Sequence, residues 1–106
     1  MPDELSSVFS ALADPTRRAI LAQLMDGDRT VAELNAPFAV SQPAISQHLA
    51  VLRQAGLVTE RREGRNAHYR AVPQALAPLA DWVERYRGFW PERIEKLKSV
   101  LKEMDQ

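Results

Sequence analysis

Apolar positions along this chain follow helical spacing four times before they alternate once. Leu5, Val8, Phe9 and Leu12 fall on one face of residues 3–12 and predict a short amphipathic first helix. Asp14-Pro15 then punctuates the chain: the carboxylate can cap a second helix while the proline takes its first position, where no N–H is missed. Ile20, Leu21, Leu24 and Met25 supply that helix with a buried stripe, and Asp26-Gly27-Asp28 ends it in a turn. Thr30 is placed to cap a third helix, VAELNA, too short to stand alone and stopped by Pro37. After the link FAV, Ser41 caps a fourth helix that runs to about Ala55, with Pro43 tolerated in its first turn and Gly56 at its C-terminal stop. Ile45, Leu49 and Leu52 lie at i, i+4 and i+7 of that helix and face the core, with Val40 and Leu57 closing its ends.

Two short helices joined by a few residues, the second well capped, make a helix-turn-helix over about residues 30–55. The run LVTERREGRNAHYRAV follows, two β-capable segments around Glu63-Gly64-Arg65-Asn66, and predicts a hairpin over about residues 57–72 with Tyr69 in the core. From Gln74 the pattern is helical again over about residues 74–104, with Leu79, Val83, Tyr86 and Trp90 as one stripe and Ile94, Leu97, Leu101 and Met104 as another. Gly88 and Pro91 interrupt the register between them, so a kinked helix or two helices in sequence are expected. The fold class is therefore mainly α with a small β-hairpin, in the order α-α-α-α-β-β-α, and residues 1–106 are expected to form one domain.

The C-terminal stripes and that of the first helix together exceed what one small core can cover. A symmetric homodimer would bury them through Leu5, Val8, Phe9, Leu79, Val83, Tyr86, Trp90, Ile94, Leu97 and Leu101. Trp82, Phe89 and Trp90 form an alternative lining for an effector pocket, although aromatics at helical spacing more often pack than cage a ligand.

Charge changes the picture at one place. The chain carries 14 basic and 14 acidic side chains, yet residues 41–72 hold five basic and two acidic, a local excess of three positive charges. Between Glu33 and Glu60 the sole charged residue is Arg53, so the wet face of the fourth helix consists of Gln42, Pro43, Ser46, Gln47 and Ala50 with Arg53 beyond them. Amides and hydroxyls hydrogen-bond base edges at short reach, whereas carboxylates are repelled by phosphate, so this bareness is expected of a face that enters a DNA major groove. Burial of the whole helix would also leave it bare, but two glutamines and two serines would then each need buried partners. His48, beside Leu49, reads as a packed or capping side chain. Arg53 is positioned for a phosphate, and Arg61, Arg62, Arg65 and Asn66 surround a hairpin tip of a kind that enters the minor groove, with Glu60 and Glu63 softening its charge.

The chain has no cysteine, which excludes disulfides, thiolate metal sites and a cysteine nucleophile. The N-terminus is acidic without an apolar leader core, and no apolar run approaches the length of a membrane span, so a soluble cytoplasmic protein with no membrane partner is expected. No nucleophile elbow, phosphate loop, paired-carboxylate site or histidine dyad can be assembled, and no enzymatic activity or cofactor is expected.

The runs ALADPTRRAILAQL, SQPAISQHLAVLRQAGLV and RREGRNAHYR, in this order, resemble the ArsR/SmtB family of bacterial winged-helix repressors across nearly the whole chain. The resemblance implies a homodimer, with Gln42, Pro43, Ser46 and Gln47 as base readers and a wing at residues 61–68. Such a symmetric dimer would set two reading helices about 34 Å apart on double-stranded DNA, as a pseudo-palindromic operator requires, and Ser41 is expected at the DNA backbone. Many members of that family release DNA on binding metal through cysteines of the third helix or Asp, His and Glu of the last. Here the third helix lacks cysteine, and His48 and His68, the chain's two histidines, lie on the fourth helix and the hairpin, so no metal site is expected and the effector is left open. A winged-helix module that binds protein instead of DNA is the alternative. It predicts that Arg53 and Arg65 are dispensable.

Overall fold

The computed structural model of the chain describes residues 3–89 and 91–104. Each of the first four helices begins at a side-chain cap. Helix α1 (Glu4–Leu12) starts where Asp3 accepts the Ser6 N–H, and α2 (Pro15–Met25) where Asp14 accepts that of Arg17. In α3 (Val31–Asn35) Thr30 accepts the Glu33 N–H while the Glu33 carboxylate accepts that of Thr30, a reciprocal cap that lets a five-residue helix persist. At α4 (Gln42–Gln54) Ser41 accepts the Ala44 N–H, and the far end closes in a left-handed turn. Gly56 takes φ +78°, its N–H donates to the Arg53 carbonyl at 2.9 Å, and the Leu57 N–H donates to the Leu52 carbonyl at 2.9 Å. That turn reverses the chain directly into the hairpin.

The hairpin strands, β2 (Val58–Glu63) and β3 (Asn66–Ala71), pair antiparallel with Glu63 opposite Asn66. Gly64 has φ +63° and Arg65 is not left-handed, the pattern of a two-residue II′ turn. A third strand appears where the helical and alternating patterns gave no signal. The two residues of β1 (Arg29–Thr30) pair with Tyr69 and His68, so the sheet order is β1-β3-β2. Two residues cannot display a period; their conformation is set by the edge of β3 they reach.

Val8, Ala11, Ile20, Leu21, Leu24, Leu34, Ile45, Leu49, Leu52, Leu57, Val58, Tyr69 and Ala71 form the buried core, drawn from all four helices and the hairpin. Two expectations are corrected here. Met25 is exposed rather than buried, because Ile20, Leu24 and Leu21 span the inward arc and Met25, the last residue of α2, lies about 40° past its edge at Leu21. Val40 is exposed as well; it lies in the bend before Ser41, and Phe38 packs on the core from the same link.

Past the hairpin a 3-10 turn, Pro73–Leu76, leads into α5 (Ala77–Arg85), then a second such turn, Arg87–Phe89, and α6 (Pro91–Met104). Two helices in sequence thus replace one, broken where Gly88 and Pro91 stand. Helix α5 lies on α1, and the Phe9 and Trp82 rings meet edge to face at 5.4 Å, with Tyr86 5.0 Å further along. Trp82 is therefore packed between two aromatics. Helix α6 leaves Leu97, Val100, Leu101 and Met104 exposed. The radius of gyration, 16.6 Å, exceeds the roughly 13 Å of a compact chain of this size, consistent with α6 standing away from the core.

Candidate nucleic-acid interface

Helix α4 presents two faces of different chemistry. Ile45, Leu49 and Leu52 are fully buried, and the opposite side exposes Gln42, Pro43, Ser46, Gln47, Ala50 and Arg53. The glutamines and serines are in water, so burial does not explain the absence of charge on this helix. The face is held firmly from behind, because three leucine or isoleucine anchors, the Ser41 cap and the Gly56 turn fix both ends. Ser41 itself is exposed, with its hydroxyl engaged at 3.2 Å by the Ala44 N–H.

His48 sits at the edge of the buried face, its Nδ1 3.9 Å from an Asp14 carboxylate oxygen and 3.4 Å from Arg17 Nη1. It locks α4 against the start of α2 and does not join the outward face. Asp14 is held below the ordinary carboxylate range chiefly by the Arg17 N–H it accepts.

The hairpin carries Arg61, Arg62, Arg65 and Asn66, all exposed, and its first strand packs against α4. Most of the cations here have partners. Arg53 Nη1 lies 2.8 Å from Glu60, Arg62 Nε 3.2 Å from the same carboxylate, and Arg61 3.4 Å from Glu63. Arg70 makes a two-nitrogen contact with Asp28 at 3.1–3.3 Å, which ties the turn before β1 to β3 and holds the Asp28 carboxyl below its usual range. Among the described residues, Arg65 at the hairpin tip has no ion-pair partner.

Sequence reasoning missed the arginines that brace this assembly. Arg17 donates to the Ser10 and Ala11 carbonyls, and Arg18 Nη1 donates to the Leu12 carbonyl at 2.7 Å, so two cations of α2 satisfy the C-terminal end of α1. The available signal was an arginine pair one turn into a helix that opens immediately after another closes.

The residues expected to join two chains divide into two groups. Val8 is 1% exposed and Leu79 packs on the core, so both serve the chain's own interior. Leu5 and Ile94 are half-buried, while Phe9, Val83, Tyr86, Leu97 and Leu101 are exposed. Trp90 lies outside the described residues. No group of three or more His, Cys, Asp and Glu side chains is placed to hold a metal ion among the described residues, and no helix there is long and apolar enough to cross a membrane.

A capped two-helix unit whose second helix exposes an uncharged polar face, followed by a basic hairpin, defines a winged helix-turn-helix regulator that binds DNA. The family model described as "Bacterial regulatory protein, arsR family" matches residues 14–60, the span from the Asp14 cap to Glu60. The HTH-type transcriptional regulator Rv2034 of Mycobacterium tuberculosis is 45% identical over 88% of this chain and 84% of its own. The transcriptional repressor SdpR of Bacillus subtilis is 37% identical over 74% of this chain and 88% of its own. A solved ArsR-like transcriptional regulator from Rhodococcus sp. RHA1 superposes with a TM-score of 0.70 at 38% identity, covering 92% of each chain. The chain belongs to the ArsR family of bacterial transcriptional regulators.

Proposed function

We propose that the protein is a homodimeric, cytoplasmic repressor that reads a pseudo-palindromic operator with α4 and steadies itself on the flanking backbone with the hairpin. The single observation that carries this reading is the exposed face of α4. Gln42, Pro43, Ser46 and Gln47 stand in solvent without a charge among them, on a helix anchored along its whole opposite side. Glutamine can bond the N6 and N7 edge of adenine, serine can bond several bases, and proline can meet a thymine methyl. Ser41 and Arg53 lie where the backbone would pass the two ends of α4, and Arg61, Arg62, Arg65 and Asn66 lie at the wing. Residues 1–106 act in this reading as one winged-helix unit, with the C-terminal helices making the contact between copies.

The test is selection of duplexes from a random pool on the purified chain, followed by titration of the selected duplex against a scrambled one. An inverted repeat bound as two chains per duplex is expected. Replacing Gln42 or Gln47 by Ala should then cost about 1–3 kcal/mol and relax preference at one base pair in each half-site. Equal loss on selected and scrambled duplexes would remove base reading from α4, and a pool that yields no preferred sequence would overturn the proposal.

A further inference from the structure

Glu60 lies within the cationic end of the molecule, where a carboxylate should oppose binding to a polyanion. Its side chain is nevertheless only 14% exposed, against 68% for Glu63 nearby, and it holds three partners. Oε2 accepts from Arg53 Nη1 at 2.8 Å and, at a longer 3.4 Å, from the Tyr69 hydroxyl; Oε1 lies 3.2 Å from Arg62 Nε. These partners come from different elements. Arg53 is in the last turn of α4, Arg62 is two residues along β2 on the same face as Glu60, and Tyr69 is the residue opposite Glu60 on β3 with its ring in the core. The carboxylate is thus anchored from below by a core tyrosine and sits at the joint between the reading helix and the wing.

We propose that Glu60 is a positioning residue for DNA binding: it fixes the Arg53 and Arg62 guanidiniums so that the end of α4 and the base of the wing meet the phosphate backbone as one preset unit. Each guanidinium has five donors in a planar fork, and the contact with Glu60 uses one nitrogen of each. The remaining donors stay available to phosphate oxygens. The triad of one carboxylate and two guanidiniums keeps a net positive charge, and side-chain freedom that would otherwise be lost on binding is already lost in the free protein.

This inference rests on the proposed DNA interface and makes a prediction opposite in sign to that of charge alone. Glu60→Gln removes a negative charge from the binding end, which by electrostatics alone tightens binding and steepens its salt dependence. If Glu60 positions the arginines, the amide keeps one acceptor but turns a donor toward the other guanidinium, and binding weakens. The experiment titrates the full chain and its variants on the selected duplex over a salt series. Glu60→Gln is expected to weaken binding about three- to tenfold. In the Arg53→Ala, Arg62→Ala background the same change is expected to cost no affinity, leaving at most the slight tightening that loss of a negative charge brings, whereas a general structural defect would persist there. Binding by Glu60→Gln as tight as wild type or tighter, or a loss that persists without the two arginines, would overturn the inference. Arg65→Ala tests the proposed DNA interface independently of Glu60. It should weaken binding broadly and flatten the salt slope by about one unit; if it and Arg53→Ala are both without effect, the interface itself is withdrawn and the role of Glu60 with it.

Discussion

Among the described residues, four carboxylates are held below their ordinary range by hydrogen-bond partners: Asp3 chiefly by the Ser6 N–H, Asp14 by that of Arg17, Glu33 by that of Thr30, and Asp28 by the Arg70 guanidinium. Three of these are helix caps and the fourth is a tie between two segments, so each titration undoes a structural device. The native value is depressed relative to the unfolded chain, so the stabilisation is fully present above the ordinary carboxylate range and is lost as pH falls through the native values. Urea midpoints should therefore be flat near neutrality and decline on acidification through and below the ordinary carboxylate range. Asp14→Asn keeps a competent cap without a titratable group, and its midpoint should fall less steeply with acid than that of wild type. Parallel curves for the two proteins would show that Asp14 does not contribute to the acid sensitivity. At this scale the sequence was readable where one residue has one local job. The caps at Asp14, Thr30 and Ser41 lie where a hydroxyl or carboxylate precedes a periodic run. The tie between Asp28 and Arg70 spans 42 positions, and nothing local marks it.

Individual elements follow the hydrophobic period closely when they are long enough to have one. Helix α4 was legible in full, because Ile45, Leu49 and Leu52 leave no doubt which side faces in. The hairpin was legible from alternation and Gly64, but β1 was not, since strand state there is conferred by pairing with β3. Glu60 illustrates the same limit at the proposed interface. Its distance of seven residues from Arg53 becomes a 2.8 Å contact only because the Gly56 turn folds β2 back beside the end of α4. That turn can be tested directly. A methyl group at Gly56 meets nothing within 4 Å, so Gly56→Ala probes only the φ of +78°. It should destabilise the protein by about 1–2 kcal/mol, the ordinary cost of a left-handed L-residue. Gly88 has equal space and no positive φ, and Gly88→Ala should be neutral or slightly stabilising in the same thermal melts. Equal losses at the two sites would mean that the turn after α4 is not held by backbone conformation.

Over the whole molecule, most of the large apolar side chains that the core leaves uncovered belong to α1, α5 and α6 or the turns between them. Phe9, Val83 and Tyr86 are exposed there, as are Leu97, Val100, Leu101 and Met104 along α6. The stripes were visible in the sequence, but which members turn inward was not, because Val8 and Leu79 share the spacing of residues that face out. In the proposed dimer a second copy of the chain would cover this surface, and a two-fold assembly would suit an inverted-repeat operator by presenting one α4 helix to each half-site. The expected results are sedimentation as a dimer and a melting temperature that rises with protein concentration. Leu97→Gln combined with Leu101→Gln changes side chains that are 53% and 52% exposed in the single chain, so it should leave the four-helix core intact while shifting the protein toward monomer. Affinity for the inverted repeat should fall steeply, because each half-site is then bound without the other, while weak binding to a single half-site should survive. A double variant that remains dimeric would move the seam to Phe9, Val83 and Tyr86, and a wild-type chain that sediments as a monomer while it occupies the repeat would exclude the dimer.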